Sequence, residues 1–196
     1  MTKPKMILFD YGQTLCTERW DNLLGGSRAV LAAATENPHH ITPEQLEELH
    51  WYERTEPTVA VDYMPELLEF LHREGIRTGV VSNLCFNEKT LRKRIGKCLP
   101  DHHFEFIMVS SEYALRKPMP EFYRLALTKA KLSAQDVWFC GDTAVCDVDG
   151  PMAVGMQGIW YTGAKLNPES CRLHPQSEGH LEIRDWRELE RMLTEM

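Results

Sequence analysis

The hydrophobic pattern of the chain alternates short apolar runs with longer amphipathic segments. Apolar runs that predict buried strands lie at 5–10, 77–82, 104–109, 137–140 and 158–161, with a short sixth run at 181–183. Between them, apolar positions recur at helical spacing and predict helices near 65–74, 87–97, 119–131 and 185–194. Strands that alternate with helices in this way predict an α/β fold with a doubly wound parallel sheet covered on both faces.

Residues 16–60 depart from this alternation. They contain two tryptophans and two stretches of helical spacing, at 23–35 and 43–51. A segment of this length cannot bury a large core of its own, so we expect it to pack over the end of the sheet. The 196 residues therefore divide into an α/β core domain, formed by 1–15 and 61–196, and a short helical cap, 16–60.

The charge and the cysteine pattern limit the possible partners and environment. The formal net charge is -7, and no block of Lys or Arg stands out, which argues against nucleic acid and against an anionic membrane. The chain shows no signal-peptide pattern and no apolar run near about 18 residues, so we expect a cytoplasmic protein. The six cysteines show no C-x-x-C spacing and are expected to be reduced thiols.

Polar side chains stand where the predicted strands end. Asp10, Ser82 and Asp142 each close an apolar run, and Lys117 follows the third strand. Each is ordinary by itself, because Asp and Ser are common in turns and caps. Together they are more informative, since the carboxyl ends of parallel strands converge on one crevice. Two carboxylates suit Mg²⁺, a lysine and a hydroxyl suit phosphoryl oxygens, and Asp10 would then attack phosphorus.

Four segments, taken in order, resemble the motifs of the haloacid dehalogenase (HAD) superfamily, most of whose members are Mg²⁺-dependent phosphatases. They are Phe9-Asp10-Tyr11-Gly12-Gln13-Thr14-Leu15, Val80-Val81-Ser82-Asn83, Arg116-Lys117-Pro118, and the run from Gly141-Asp142 through Asp147 to Gly155. The match covers nearly the whole chain outside the insert. The resemblance implies a Rossmann-like sheet of order 3-2-1-4-5, and it places the insert where the family carries a helical cap.

The resemblance also implies a Mg²⁺ site at the ends of the strands. It assigns Asp10 and Asp142 as ligands, with the backbone carbonyl of Gly12 as a further ligand. Asp147 would steady the site from behind, and Thr14 takes its fixed place in the first motif. These residues are therefore expected to converge around one metal ion.

The same resemblance implies the reaction. Asp10 would be the nucleophile that forms an aspartyl-phosphate, while Ser82, Asn83 and Lys117 would bind the phosphoryl group. The expected partner is a small-molecule phosphate ester, and the expected activity is hydrolysis of a phosphoric monoester.

One position departs from the family's phosphatases, which usually carry a second aspartate two residues after the nucleophile. That position is Gly12 here; Gln13 cannot transfer a proton at neutral pH, and Tyr11 should point to the opposite side of the chain. Three interpretations stay open: a slow Mg²⁺-dependent phosphatase, a non-catalytic phosphate-binding or regulatory protein, and another HAD hydrolase such as a dehalogenase. The family's dehalogenases do not use Mg²⁺, so the presence of Asp142 and Asp147 favours a metal site.

Substrate choice is expected to depend on the cap. Arg19, Trp20, Arg28, Trp51 and Arg54 are the cap residues that could touch a leaving group, although packing on the core is the more common role of a tryptophan. Two helices should cover the crevice less completely than the family's usual four. We therefore expect an open site, unless the second subunit of a homo-oligomer closes it.

Overall fold

The computed structural model describes residues 2–17, 59–84, 86–164 and 173–196. The strands are β1 Met6–Phe9, β2 Cys16–Thr17, β3 Val59–Ala60, β4 Arg77–Ser82, β5 Phe104–Val109, β6 Val137–Gly141, β7 Gln157–Tyr161 and β8 Leu181–Ile183. The helices are α1 Met64–Arg73, α2 Glu88–Cys98, α3 Ser110–Tyr113, α4 Pro120–Ala130, α5 Gly150–Met152 and α6 Trp186–Thr194. The helices predicted at 23–35 and 43–51 lie outside the described residues.

Six strands form one parallel sheet in the order β5-β4-β1-β6-β7-β8. Counted along the six predicted strands, this is 3-2-1-4-5 followed by the sixth, so the predicted doubly wound α/β fold is confirmed. β1 lies at the centre of the sheet, where Met6 pairs with Arg77 on one side and with Val137 on the other. The central position explains why β1 is an unbroken apolar run, since both of its faces are covered.

Successive side chains of β1 point into two different hydrophobic layers. Ile7 and Phe9 belong to a cluster that contains the buried faces of α1, α2 and α6. Met6 and Leu8 belong to a second cluster, which contains the buried face of α4. Because successive side chains of a strand point to opposite faces, one continuous apolar sequence contributes to a hydrophobic core on each face of the sheet.

The helix ends follow local sequence signals. Pro65 lies in the first turn of α1, and Gly75, with φ 70°, follows its end. The Asn87 side chain caps α2 by accepting a hydrogen bond from Thr90 N at 2.8 Å, and Asp185 caps α6 by accepting from the second residue of that helix. Within the described ranges, each helix is too short or too polar to span a lipid bilayer.

The two ends of the predicted insert meet in a short antiparallel ribbon. β2 pairs with β3 through Cys16 with Ala60 and Thr17 with Val59. Val61 N also donates a hydrogen bond to Leu15 O at 2.9 Å. The chain therefore leaves and re-enters the core at adjacent points, directly after the segment that carries Asp10.

The packing of α6 gives a prediction for stability. Leu189 is fully buried in the layer formed with α1 and β1, so the change Leu189→Ala should leave a cavity and lower the free energy of unfolding by about 2–5 kcal/mol. Leu173 is 61% exposed, and Leu173→Ala should change it by less than about 0.5 kcal/mol. Urea denaturation of both variants measures the two changes in the free energy of unfolding. Equal changes would contradict the packing of α6 against α1 and β1.

Candidate active site

The end of β1 leads into a tight, buried turn. Asp10 N continues the sheet by donating a hydrogen bond to Cys140 O at 2.9 Å. The chain then folds back, since Cys16 N donates to Tyr11 O at 3.2 Å and Gln13 N donates to Cys16 O at 2.8 Å. Gln13 has φ 60°, a left-handed conformation that is uncommon for residues other than glycine. The turn fixes the Asp10 carboxylate at the carboxyl edge of the central strand.

Lys117 is a buried cation between two carboxylates. It is 2% exposed, and its Nζ lies 2.7 Å from Asp10 Oδ1 and 2.6 Å from Asp147 Oδ1. Ser82 Oγ donates a hydrogen bond to the same Asp10 Oδ1 at 2.9 Å. Burial alone would lower the pKa of Lys117, but Asp10 and Asp147 outweigh that effect and raise it. The ammonium therefore stays charged inside the site.

The backbone of Lys117 is held by the side chain of Asn83. Lys117 N donates to Asn83 Oδ1 at 2.8 Å, and Asn83 Nδ2 donates to Lys117 O at 2.9 Å. Both ends of the amide are thus engaged with the segment that carries the cation. This contact links the end of β4 to the segment after β5 and sets where the Lys117 side chain begins.

A π-helical turn over Ala144–Asp149 places Asp147 next to the end of β6. Thr143 N donates a hydrogen bond to Asp147 Oδ2 at 2.9 Å, and Asp147 N donates to Thr143 O at 2.7 Å. A Cβ at Gly141 would overlap the Asp147 carboxyl group. Glycine is therefore required at this position so that the carboxylate can lie against the backbone.

Asp142 is held from two sides. Thr14 Oγ1 donates a hydrogen bond to Asp142 Oδ1 at 3.3 Å, and Trp160 Nε1 donates to Asp142 O at 3.1 Å. Thr14 therefore connects the turn after β1 to the end of β6. The indole of Trp160, on β7, fixes the backbone of the same aspartate.

One oxygen from each of Asp10, Asp142 and Asp147 lies within 4.8 Å of the other two. Burial first, and then the charges of the other two aspartates, raise the pKa of Asp142 to about 8. Burial also raises the pKa of Asp147, to about 6, although Lys117 opposes the shift. Three carboxylates around one ammonium leave excess negative charge, and a divalent cation with oxygen ligands, such as Mg²⁺, fits this donor set.

Gly12 lies inside the turn after β1, where it pairs with Cys16 in an isolated bridge. Its side-chain position carries no acid, so the described part of the site has no carboxylate two residues after Asp10. The structure brings seven predicted residues into one contact network: Asp10, Thr14, Ser82, Asn83, Lys117, Asp142 and Asp147. The predicted cap residues Arg19, Trp20, Arg28, Trp51 and Arg54 lie outside the described residues.

Two aromatic residues of the site were not found from the sequence. Trp160 donates to Asp142, as described above, and the Tyr123 hydroxyl donates to Cys146 O at 2.6 Å. A Cβ at Gly150 would collide with the Tyr123 hydroxyl, so glycine permits this approach. The sequence signal for these two residues is the general rule that the polar atom of a buried Trp or Tyr needs a hydrogen-bond partner. The spacing of residues along the chain does not identify that partner.

A cavity of about 310 Å³ borders the turn after β1. It lies between that turn, β3 and the end of β7, and its polar side chains come from Gln13, Thr17, Asp62 and Tyr161. Burial is the main reason why the pKa of Tyr161 is raised to about 12, so the phenol stays protonated at neutral pH. The cavity offers hydrogen-bonding groups beside the turn after β1.

Two known phosphatases are similar in sequence to part of this chain. The chain is 30% identical over 128 residues to the phosphoserine phosphatase of Thermus thermophilus, covering 64% of this chain and 49% of the relative. It is 29% identical over 98 residues to the glyceraldehyde 3-phosphate phosphatase of Pyrococcus furiosus, covering 48% of this chain and 39% of the relative. The chain thus spans about half, or less, of the length of these relatives.

A solved structure extends the fold comparison to the whole chain. The 2-haloacid dehalogenase from Pseudomonas syringae superposes with a TM-score of 0.68 and 18% identity, covering 98% of this chain and 99% of that one. At that identity the similarity establishes the fold alone. The family model described as haloacid dehalogenase-like hydrolase matches residues 8–161, which include every residue of the network around Lys117. With this match over most of its length, the chain belongs to the haloacid dehalogenase-like hydrolases.

Proposed function

We propose that this chain is a metal-dependent phosphatase that acts on a small phosphorylated molecule through an aspartyl-phosphate at Asp10. The observation that carries the proposal is the way in which Asp10 is held. Ser82 and Lys117 both contact Oδ1, and Oδ2 has no hydrogen-bond partner among the described residues. Oδ2 is therefore available to attack phosphorus while Oδ1 is oriented by two donors.

Each group of the network has a role in phosphoryl transfer. Asp10 Oδ2 forms a bond to phosphorus as the bond between phosphorus and the leaving-group oxygen breaks. The Lys117 ammonium and the Ser82 hydroxyl would stabilise the charge on the phosphoryl oxygens. Water then attacks the phosphorus of the aspartyl-phosphate, which releases phosphate and restores the Asp10 carboxylate.

The metal would be held by Asp10 and Asp142, with the carbonyl of Gly12 as a further ligand. A bound Mg²⁺ supplies positive charge that offsets the repulsion between an anionic nucleophile and an anionic phosphate. Thr14 and Trp160 would keep Asp142 oriented, because each already donates to it. Asp147 would remain paired with Lys117 rather than take a place among the ligands.

The relatives support a small phosphorylated substrate. Two of them are named for hydrolysis of phosphoserine and of glyceraldehyde 3-phosphate, which are phosphate esters of small polar molecules. The cavity of about 310 Å³ beside the turn after β1 has room and polar groups for a leaving group of that kind.

A second candidate function is phosphate binding without turnover. It is favoured by one observation, the glycine at position 12, which leaves the site without the family's usual acid two residues after the nucleophile. A dehalogenase is the weaker alternative, since its support is the fold alone and the carboxylate cluster has the character of a metal site.

The proposed function is tested by a screen of phosphate esters with Mg²⁺. We expect turnover that EDTA abolishes and that Asp10→Asn reduces to background, because the amide cannot form the acyl phosphate. Asp101 is exposed, and Asp101→Asn is the matched control that should keep full activity. Persistent turnover in Asp10→Asn would overturn the mechanism, while tight phosphate binding without turnover in the wild-type protein would favour the second candidate.

Replacement of the buried cation gives a separate prediction. Lys117→Met should lower turnover by about 10²–10³-fold, because it removes a preorganised positive charge from the phosphoryl site. It should also lower the free energy of unfolding by about 3–5 kcal/mol, since two buried carboxylates lose their partner. Lys129 is a lysine near the protein surface, and Lys129→Met should change neither quantity appreciably. Unchanged turnover in folded Lys117→Met would assign the lysine a structural role only.

The glycine at position 12 gives a prediction about the leaving group. Acid–base help is typically worth about 10²–10⁴ in rate, so the wild-type protein should turn over aryl phosphates better than alkyl phosphates and show a burst of the first product. Gly12→Asp should speed alkyl esters more than aryl esters and shorten the burst. Gly12→Asn, similar in size but unable to transfer a proton, is the control. Equal gains in both variants, or no gain in a folded Gly12→Asp that binds Mg²⁺, would show that the missing acid does not limit the rate.

A further inference from the structure

Two cysteines that are far apart in the sequence meet next to the turn after β1. The Sγ atoms of Cys16 and Cys98 are 2.9 Å apart, closer than two unbonded sulfur atoms normally approach. Both residues are thiols in the structure. A disulfide has an S–S length of about 2.05 Å, so the two sulfurs would need to move together by only about 0.9 Å.

The two thiols differ in their access to solvent. Cys16 is fully buried, at the start of β2. Cys98 is half-buried at the end of α2, and it lines a groove of about 510 Å³ between α1 and the loop that joins α2 to β5. Cys98 therefore borders a groove that a small polar oxidant can enter, whereas Cys16 is buried with its sulfur 2.9 Å from that of Cys98.

We propose that Cys16 and Cys98 are a redox-sensitive pair that forms a reversible disulfide when a hydroperoxide enters this groove. The proposal does not depend on the proposed phosphatase activity. It rests on the separation of the two sulfurs and on the opening of the groove at one of them.

The reaction needs one peroxide per disulfide. The Cys98 sulfur, as thiolate, attacks one peroxide oxygen; the O–O bond breaks, hydroxide leaves, and Cys98 becomes a sulfenic acid. The Cys16 sulfur, which gives up its proton, then attacks the Cys98 sulfur and displaces its hydroxyl group. Two thiols and one hydrogen peroxide thus yield one disulfide and two waters, with two electrons passing from sulfur to oxygen. Because Cys98 ends a helix, where the dipole disfavours a thiolate, we expect the first step to be slow and to speed up with pH.

The disulfide would connect the turn after β1 to α2. The backbone of Cys16 forms hydrogen bonds with the backbones of Tyr11 and Gln13, on either side of Gly12. Cys16 also pairs with Ala60 in the ribbon. The bond between Cys16 and Cys98 would close a loop of about 80 residues that includes the whole predicted cap. Oxidation should therefore restrain the segment on which Asp10 and the cap both depend.

The experiment compares the 196-residue protein before and after treatment with hydrogen peroxide. Alkylated, digested protein should yield one new peptide pair that joins Cys16 to Cys98, lighter by two hydrogens than the separate peptides, and dithiothreitol should remove it. The melting temperature should rise by roughly 5–10 °C on oxidation, because the cross-link restricts the unfolded chain. The reduced protein after dithiothreitol should return to the starting value.

Two variants make the test specific. Cys98→Ser should abolish both the linked peptide and the temperature shift, whereas Cys146→Ser, which removes a different half-buried thiol, should keep both. The proposal is overturned if folded protein gives no such peptide, if the peptide joins other cysteines or two chains, or if Cys98→Ser shows the same shift. Cys98 is partly exposed, so this variant is expected to fold even where Cys16→Ser does not.

Discussion

The buried ion pairs of Lys117 are the interaction on which the site depends. A single ammonium at 2.7 Å from Asp10 and 2.6 Å from Asp147 joins three segments that are remote in the sequence: the end of β1, the segment after β5 and the turn after β6. Burial of these charges is costly unless every one of them is paired. Ser82 and the backbone of Thr143 supply further hydrogen bonds to the two carboxylates, so the cost is offset only in the complete network. The geometry of the site is therefore cooperative, and the surplus negative charge that remains is what favours a divalent cation.

The fold supplies the conditions for this network. β1 is central, and its alternating side chains fill both hydrophobic layers, so the sheet cannot shift its register without exposing a core face. That constraint fixes the position of Asp10. The neighbouring strands β4 and β6 end at the same edge and deliver the hydroxyl and the other carboxylates. Asp10, Ser82 and Asp142 thus lie at or directly after the ends of rigid strands, while the ribbon of β2 and β3 connects the same edge to residues 18–58.

The sequence was sufficient to predict the sheet and the convergence of the polar residues that follow its strands, because apolar runs that end at Asp10 and Asp142 carry both signals at once. The sequence did not predict which side chains contact one another within the site. The pairing of Lys117 with Asp147, and the clamp of Asn83 on the Lys117 backbone, depend on side-chain directions across segments about 30 residues apart. Strands of two residues, such as β2 and β3, show no periodicity, so the ribbon could not be predicted. The approach of Cys16 to Cys98 is likewise a result of packing across 82 positions and leaves no local pattern.

The central claim is that Asp10 becomes covalently phosphorylated during turnover, and rapid acid quenching tests it most directly. Protein mixed with an aryl phosphate and Mg²⁺ would be quenched within the burst, digested at low pH and mapped by mass spectrometry. The account predicts one added phosphoryl group on the peptide that contains Asp10, at a substantial fraction of the protein, because Gly12 provides no base for its hydrolysis. Turnover without this species, or a phosphoryl group on any other residue, would contradict the account.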